Sequence, residues 1–422
     1  MTQDTIDRRH RVIAVNRFYA PDYSATAQLL TDLMEQLARD GRRPVVVTSR
    51  LDYETTGNPL PIRQVINGVE IQRVWSTSFG RHGLAGRLVD YLTFFASSFL
   101  RLVRLSRPGD IILAKTDPPM ITVTAALAAS LRRARLVAWC QDLFPEVATA
   151  LGIGRRIPLA TSVLKALRNR SLRSAHDVVA IGDGMAARLF REGMKHERIH
   201  VIANWSCCDI RPVAHDANPM RHELGLDGRT VIGYSGNLGR VHAPERLAQL
   251  VRTTLGHADA SWVFFGGGAG MAAIRDIRHR HDDRHLQIHP YQPRSRLAFS
   301  LSLADMHLVT LDPTCEGLVL PSKIYGIVAA GRPVLFLGDP GGPTATLIRE
   351  IGAGIVLPIG DIHQSATMLA RCIQGEITLP GPRELRLLHE DRLSAQRALQ
   401  RWTTLLGVPA ATRDMPAVEV AA

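Results

Sequence analysis

Along nearly the whole chain, short runs rich in β-branched residues alternate with longer stretches whose apolar positions recur every three to four residues. This is the pattern of strand–helix–strand units on a parallel sheet. In the first half, Val12 to Asn16, Pro44 to Ser49, Asp110 to Ala114, Leu136 to Trp139, Asp177 to Ile181 and Ile199 to Ala203 read as strands. Helices are expected over Ala27 to Asp40, Leu84 to Leu105, Ile121 to Arg133, Leu159 to Leu172 and Met185 to Glu192. Together they make one doubly wound domain.

Polar, irregular text, "NWSCCDIRPVAHDANP", then interrupts the pattern and reads as a linker, and a second alternation starts at Thr230. Its strands are Val231 to Tyr234, Trp262 to Phe265, His285 to His289, His307 to Leu311 and Val334 to Leu337, and a final helix over Arg383 to Leu406 follows Pro380 and Pro382. A chain of 422 residues is too long for one core, so the expectation is an α/β protein of two Rossmann-like domains facing a cleft. The expected boundaries are 1–205 and 206–382, then a helix over 383–406 packing back on the first domain, and a tail over 407–422.

In open parallel sheets ligands bind beyond the carboxyl ends of the strands, so the segments just after each strand carry the candidate chemistry. "YSGNLGRVH" (Tyr234 to His242) places Gly236 and Gly239 where missing side chains let backbone N–H groups approach an anion, with Arg240 adding charge. His242 reads as a solvated loop histidine. "FFGGGAG" (Phe264 to Gly270) reads equally as a tight turn or as a ligand contact, and no GxxxxGK[ST] occurs. In "CEGLVLPSKIYGIVAAGRPVLF" (Cys315 to Phe336), Pro321, Ser322 and Lys323 are expected in the first turn of a helix. Unpaired N–H groups there, with the Lys323 charge, suit a pyrophosphate, and Glu316 suits the hydroxyls of a sugar attached to it.

Charge narrows the picture more than composition does. Residues through Trp205 hold 29 Lys and Arg against 18 Asp and Glu, so the first half carries +11 of the net +12 and suits an anionic partner. Helix Leu84 to Leu105 mixes Phe94, Phe95, Phe99 and Leu100 with Arg87, Arg101 and Arg104. A second stretch carries Arg155, Arg156, Lys165, Arg168, Arg170 and Arg173, and both read as membrane-surface patches or, equally, as core packing with solvated arginines. The five cysteines are too few and too irregular for a disulfide scaffold and form no CxxC pair, which suits a reducing cytoplasm. The longest apolar runs fall short of the roughly 20 residues a spanning helix requires, and "MTQDTIDRRH" has no apolar export core. No metal site is expected, since Asp282-Asp283 lies in a polar run and makes no convincing cation motif.

These segments resemble the GT-B glycosyltransferases of family 4, in particular those of bacterial exopolysaccharide, colanic acid and O-antigen biosynthesis, whose donor-site text is close to "PSKxYGxxAAGRP". "FYAPDYSATAQLLTDL" (Phe18 to Leu33), "WCQDLFPEVA" (Trp139 to Ala148), "VIANW" (Val201 to Trp205) and "YSGNLGR" are similar to further segments of that family. The resemblance implies retaining transfer of a hexosyl or N-acetylhexosaminyl group from a nucleotide diphosphate sugar, with no cofactor or essential metal. The acceptor it implies is a lipid-linked saccharide, reached by a cytoplasmic protein lying peripherally on the anionic inner face of the membrane. The first domain is then the acceptor side and the second the donor side. Glu316 meets the donor sugar, Lys323, Arg240 and the amides near Pro321 stabilise the leaving diphosphate, and Asp142 positions or deprotonates the acceptor hydroxyl, unless it merely caps the following helix. Two departures stand out: Gly326 replaces the family's second glutamate, leaving ribose recognition unassigned, and Gly236-Asn237 replaces its glycine–arginine pair. The competing readings are a sugar-nucleotide epimerase on the same fold and a basic nucleic-acid-binding protein. For the latter the sequence offers no zinc-finger spacing, aromatic–basic interleaving or recognition helix, so no nucleic acid partner is expected.

Overall fold

The computed structural model describes residues 10–22, 24–51, 60–80, 83–153, 158–206, 209–255, 260–281 and 285–407. Arg155, Arg156, Cys207, Cys208, Asp282 and Asp283 lie outside these, as do most of "MTQDTIDRRH" and the tail beyond residue 407.

The first series of elements is β1 (Val12–Val15), α1 (Ala25–Arg39), β2 (Val45–Ser49), β3 (Arg63–Ile66), β4 (Val69–Val74), α2 (Leu84–Leu105), β5 (Ile111–Lys115), α3 (Ile121–Arg132), β6 (Arg135–Trp139), α4 (Glu146–Ala150), α5 (Pro158–Ser174), β7 (Asp177–Ala180), α6 (Asp183–Arg191) and β8 (Ile199–Val201). They build an eight-stranded sheet of order β3-β4-β2-β1-β5-β6-β7-β8. β1 pairs parallel with β2 and β5, and β2 with β4. The β3–β4 hairpin is a departure from the alternation read in the sequence. Asn67 and Gly68 both take positive φ (49° and 79°), the geometry of a tight hairpin turn, and Ile66 pairs antiparallel with Val69 across it.

The second series is α7 (Pro219–Glu223), β9 (Thr230–Ser235), α8 (Pro244–Thr254), β10 (Ala260–Phe265), α9 (Met271–His281), β11 (Leu286–His289), α10 (Leu297–Ser302), β12 (Met306–Thr310), α11 (Lys323–Ala329), β13 (Val334–Gly338), α12 (Pro343–Glu350), β14 (Gly354–Pro358), α13 (Ile362–Ile373), α14 (Pro382–Leu388) and α15 (Ala395–Leu405). Its six parallel strands have the order β11-β10-β9-β12-β13-β14. Strands β9, β10, β12 and β13 hold nearly all their residues out of water on both faces, which is why they read as continuous apolar runs. Strand order reverses between β9 and β12, so the loops that follow those two strands flank the point where parallel sheets of this kind bind ligands.

The single helix expected over Arg383 to Leu406 is two helices. A π turn at His389–Leu393 follows α14, and Ser394 then adopts an extended conformation and starts α15. A short polar residue at that position satisfies helix-terminal groups more readily than it continues a helix.

The chain divides into two compact units. One comprises the described parts of Met1–Trp139, Ser174–Asp177 and Gln396–Ala422; the other comprises those of Cys140–Arg173 and Val178–Ala395. In the first, fully buried Trp402 of α15 lies with its ring 4.5 Å from that of Trp139 at the end of β6. The Gly407 carbonyl beyond α15 accepts a hydrogen bond from Arg42. In the second, the core beneath the six-stranded sheet joins β9, β10 and β12 to α8, α9 and α13 through Tyr234, Trp262, Phe264, Leu247, Ile274 and Leu369.

Candidate functional site

All the residues singled out in the sequence as site candidates fall in the second unit. The turn after β9 comes first. Gly236 has φ 114° and its N–H donates to the Phe265 carbonyl at 2.8 Å; the Leu238 N–H donates to Gly267 at 2.8 Å. The Gly236 N–H was expected to be open to an anion, and instead it and the Leu238 N–H fasten the turn to the "GGGAG" loop. The glycines of that loop answer to crowding. A Cβ on Gly266 would lie 2.2 Å from the Gly236 carbonyl oxygen, and one on Gly268 would lie 2.2 Å from Oδ1 of Asn237. The loop is thus a tight-packing device beneath the Gly236–Asn237 turn. Arg240, in the short 3-10 turn Arg240–His242, and Asn237 are both exposed.

Lys323 reaches the same turn from the other loop. It is the first residue of α11, with Ser322 as N-cap, so Pro321 stands one residue outside the helix, not in its first turn. Tyr325 N–H bonds to the Ser322 carbonyl, three residues back, so the chain is tightly wound where α11 begins. The Lys323 Nζ donates to the Asn237 carbonyl at 2.9 Å and to Nε2 of His242 at 3.1 Å, and it lies 5.0 Å from the centre of the Tyr234 ring. A Cβ on Gly236 would sit 3.0 Å from Lys323 Cε, so this glycine clears the lysine's path. Burial pushes the Lys323 ammonium down to about 7.

His242 is not a solvated loop residue. Its Nδ1 is 2.8 Å from the Thr310 carbonyl at the end of β12, and burial, followed by the Lys323 charge, pushes its pKa down to about 3. The imidazole is therefore neutral.

Glu316 follows the 3-10 turn Pro313–Cys315 on the loop after β12. Its Oε2 accepts hydrogen bonds from the Thr344 hydroxyl at 2.8 Å and the Thr344 N–H at 3.2 Å, at the start of α12. Its Oε1 is buried and has no partner among the described residues. Burial raises the Glu316 pKa, the Thr344 donors oppose the rise, and Asp339 adds to it. Gly342 makes room, because a Cβ there would lie 2.7 Å from Glu316 Cδ. Asp142 and Glu316 each form an isolated β-bridge with Val319, and Leu143 N–H donates to Leu318 O at 3.0 Å. The two carboxylate-bearing segments therefore meet on one short strand of loop. The N-cap of α4, the helix after Asp142, is Pro145, so Asp142 does not hold that position.

Two other segments noted in the sequence are tied together here. Gln141 and Asn204 exchange amide hydrogen bonds at 2.9 and 3.1 Å, joining "WCQDLFPEVA" to "VIANW". The second basic stretch loses part of its expected surface role. Arg168 is buried and ion-paired with Glu146, and Lys165 bonds to Glu192 at 2.6 Å, so these charges hold α5 to its neighbours. Among the described residues no group of His, Cys, Asp and Glu is arranged to hold a metal ion, and no helix is long and apolar enough to cross a membrane. Tyr234 and Thr344 were not singled out in the sequence. The one available signal for Thr344 was its place just after "GDPGGP", the turn that follows β13.

A family model described as a glycosyl transferase 4-like domain matches residues 25–205. The glycosyltransferase WbjE of Pseudomonas aeruginosa is 28% identical over 266 residues, covering 62% of this chain and 66%, just under two thirds, of the relative. The colanic acid biosynthesis glycosyl transferase WcaI of Escherichia coli is 25% identical over 330 residues, covering 74% and 79%. Among solved structures, HepE from Anabaena in complex with UDP and glucose superimposes with a TM-score of 0.69 at 15% identity, over 94% of this chain and 99% of that one. WaaG, a glycosyltransferase involved in lipopolysaccharide biosynthesis, gives 0.65 at 14% identity, over 95% and 100%. These similarities identify the fold as GT-B, two Rossmann-like sheets in one chain.

Proposed function

Because the chain belongs to the glycosyl transferase 4-like family and is homologous to bacterial polysaccharide glycosyltransferases, we propose that it transfers a hexosyl or N-acetylhexosaminyl group from a nucleotide diphosphate sugar to a lipid-linked saccharide. The product is a cell-surface polysaccharide intermediate. The observation that carries this reading is the Lys323 ammonium held against the Gly236–Asn237 turn at the switch point of the six-stranded sheet. A buried cation, hydrogen-bonded but not ion-paired among the described residues, is suited to a diphosphate. The UDP and glucose in the HepE complex support the same class of donor.

In this reading residues 206–382 are the donor side and 1–205 the acceptor side. Lys323 and Arg240 meet the diphosphate beside Gly236, Asn237, Pro321 and Ser322, while Oε1 of Glu316, which has no partner among the described residues, accepts from a donor-sugar hydroxyl. Asp142 positions the acceptor hydroxyl and takes its proton. The bond from the anomeric carbon to the diphosphate oxygen breaks, its electron pair leaves with the diphosphate, and the acceptor oxygen bonds to the same face of the sugar. Charge on the departing diphosphate is met by side-chain cations, so no metal ion is required. In this reading the enzyme works on the inner face of the cytoplasmic membrane, which the lipid of the proposed acceptor and the basic first half of the chain support.

The test is transfer to a lipid-linked saccharide with an NMR assignment of the product's anomeric centre, run beside an EDTA control and Asp142→Asn. Retained configuration and full activity in EDTA are expected. Asp142→Asn should lower turnover about a hundredfold or more while donor binding survives. Inversion, an absolute metal requirement, or epimerised donor formed without any acceptor would overturn the proposal, and an unaltered Asp142→Asn rate would remove that residue from the site.

A further inference from the structure

Among the described residues His242 is the one titratable side chain that hydrogen-bonds the Lys323 ammonium, and its geometry fixes what it does there. A carbonyl oxygen can only accept, so Nδ1, 2.8 Å from Thr310 O, carries the ring proton. The neutral ring then presents Nε2 as a lone-pair acceptor, and the 3.1 Å contact is a hydrogen bond donated by Lys323 Nζ. An ammonium has three N–H groups. Here one goes to Asn237 O and one to His242 Nε2, and the third is left for an anion.

Among the described residues, none offers a negative charge to this ammonium. From β9, Tyr234 presents its ring face and gives its hydroxyl hydrogen to the Asn237 carbonyl at 3.2 Å. Arg240, on the turn that carries His242, is exposed. From the loop that leads into α11, Asp312 turns its carboxylate to Thr314 and Glu316 turns its own to Thr344. Burial pulls the lysine down to about 7, and the groups arranged to favour its charged form are two neutral acceptors and an aromatic face.

We propose that His242 is a positioning residue for the donor diphosphate: locked by Thr310 with Nε2 as acceptor, it holds Lys323 charged at the Gly236–Asn237 turn and so sets the alkaline limit of donor capture. The inference rests on the donor-site reading above. With Lys323 near neutrality in the free protein, an alkaline rise removes the ammonium before an anion arrives, whereas a bound diphosphate keeps it protonated. The dependence therefore belongs to kcat/KM for the donor and is weak in kcat. His242→Leu removes the acceptor and moves the alkaline limb to lower pH. In His242→Gln the amide oxygen restores an acceptor and the limb returns.

The experiment measures binding of inorganic pyrophosphate by calorimetry, and kcat/KM for the donor, across pH for the full chain and for His242→Leu, His242→Gln and Lys323→Ala. At pH 8 we expect His242→Leu to lose about tenfold in pyrophosphate affinity, little at pH 6, and to be rescued by His242→Gln, the scale of one hydrogen bond to a charged group. If Lys323→Ala leaves pyrophosphate affinity unchanged, the donor-site reading itself fails. If Lys323→Ala weakens it but His242→Leu does not move the alkaline limb, His242 has no such role and only this inference falls. Selective nitrogen-15 labelling of histidine in the wild-type protein gives an independent check that does not depend on folding of a variant. A neutral ring protonated at Nδ1 is expected near pH 6, and an imidazolium or an Nε2-protonated ring would overturn the proposal.

Discussion

Glu316 divides its carboxylate between two tasks. Oε2 closes the start of α12 through Thr344, and Oε1 is left buried without a partner among the described residues. Burial and Asp339 raise its pKa, so the folded state binds the proton more tightly than the unfolded chain does. A carboxyl of this kind costs the fold stability as pH rises from the ordinary carboxylate value through the raised one. Glu316→Gln keeps the Thr344 acceptor and removes that cost. Melting curves from about pH 4 to about pH 7 should therefore show the wild type losing stability relative to Glu316→Gln as pH rises, while transfer by the variant falls about a hundredfold or more. A variant that melts lower at every pH would instead make Glu316 a structural residue. The sequence made Glu316, Lys323 and the Gly236 turn visible, because acid, base and glycine at post-strand positions are local signals. It could not place His242, whose role depends on β9 lying beside β12 so that Thr310 comes within reach.

At the scale of elements, glycines separate into those the backbone needs and those it does not. Gly266 has φ 135° and its absent Cβ leaves room for the Gly236 carbonyl, so loop and turn move together. Gly266→Ala should destabilise the protein by about 1–3 kcal/mol and weaken donor binding by displacing the turn. Gly326 sits inside α11, where a Cβ would meet only Leu301 Cδ1 at 3.4 Å and Ile210 Cδ1 at 3.8 Å, both ordinary contacts. Gly326→Ala should therefore stabilise by about 0.5–1 kcal/mol, the helix-propensity difference. Chemical denaturation of the two variants checks both signs, and equal effects would mean that crowding at Gly266 is relieved elsewhere. The strands read in the sequence lie within a residue or two of their observed bounds, since burial on both faces writes a continuous apolar run, whereas β14 at the sheet edge, only partly buried, was not read. The β3–β4 hairpin was passed over although "QVINGVEIQ" carries an Asn-Gly turn signal, because β3 is exposed and its run is short. The break between α14 and α15 was invisible, because the apolar spacing persists through the π turn and Ser394 alone marks the change.

For the whole molecule, the question is what the charge of the first half does. Part of it is internal: Arg168 is buried against Glu146, and Arg135 is paired with Asp177. On α2 the apolar residues divide differently from the sequence expectation. Phe94 is in the core, whereas Leu88, Leu92 and Leu100 are 58%, 55% and 52% exposed, with Trp75 and Phe79 exposed just ahead of the helix and Arg87 and Arg104 exposed on it. Leu88 and Leu92 lie on successive turns of one face, and a soluble helix gains nothing by keeping such a face in water. An anionic bilayer surface satisfies both features, with apolar side chains entering the acyl boundary and arginines remaining at the headgroups. The expected outcome is flotation with vesicles containing anionic lipid, weakened by salt, and loss of flotation in Leu88→Gln/Leu92→Gln with pyrophosphate binding unchanged. Because the electrostatic part of such attraction falls off within about 10 Å at 0.1 M salt, high salt should release the protein without detergent. Vesicle binding that ignores both salt and the double substitution would place the attachment elsewhere on the chain, and no binding at low salt would remove the membrane from the account.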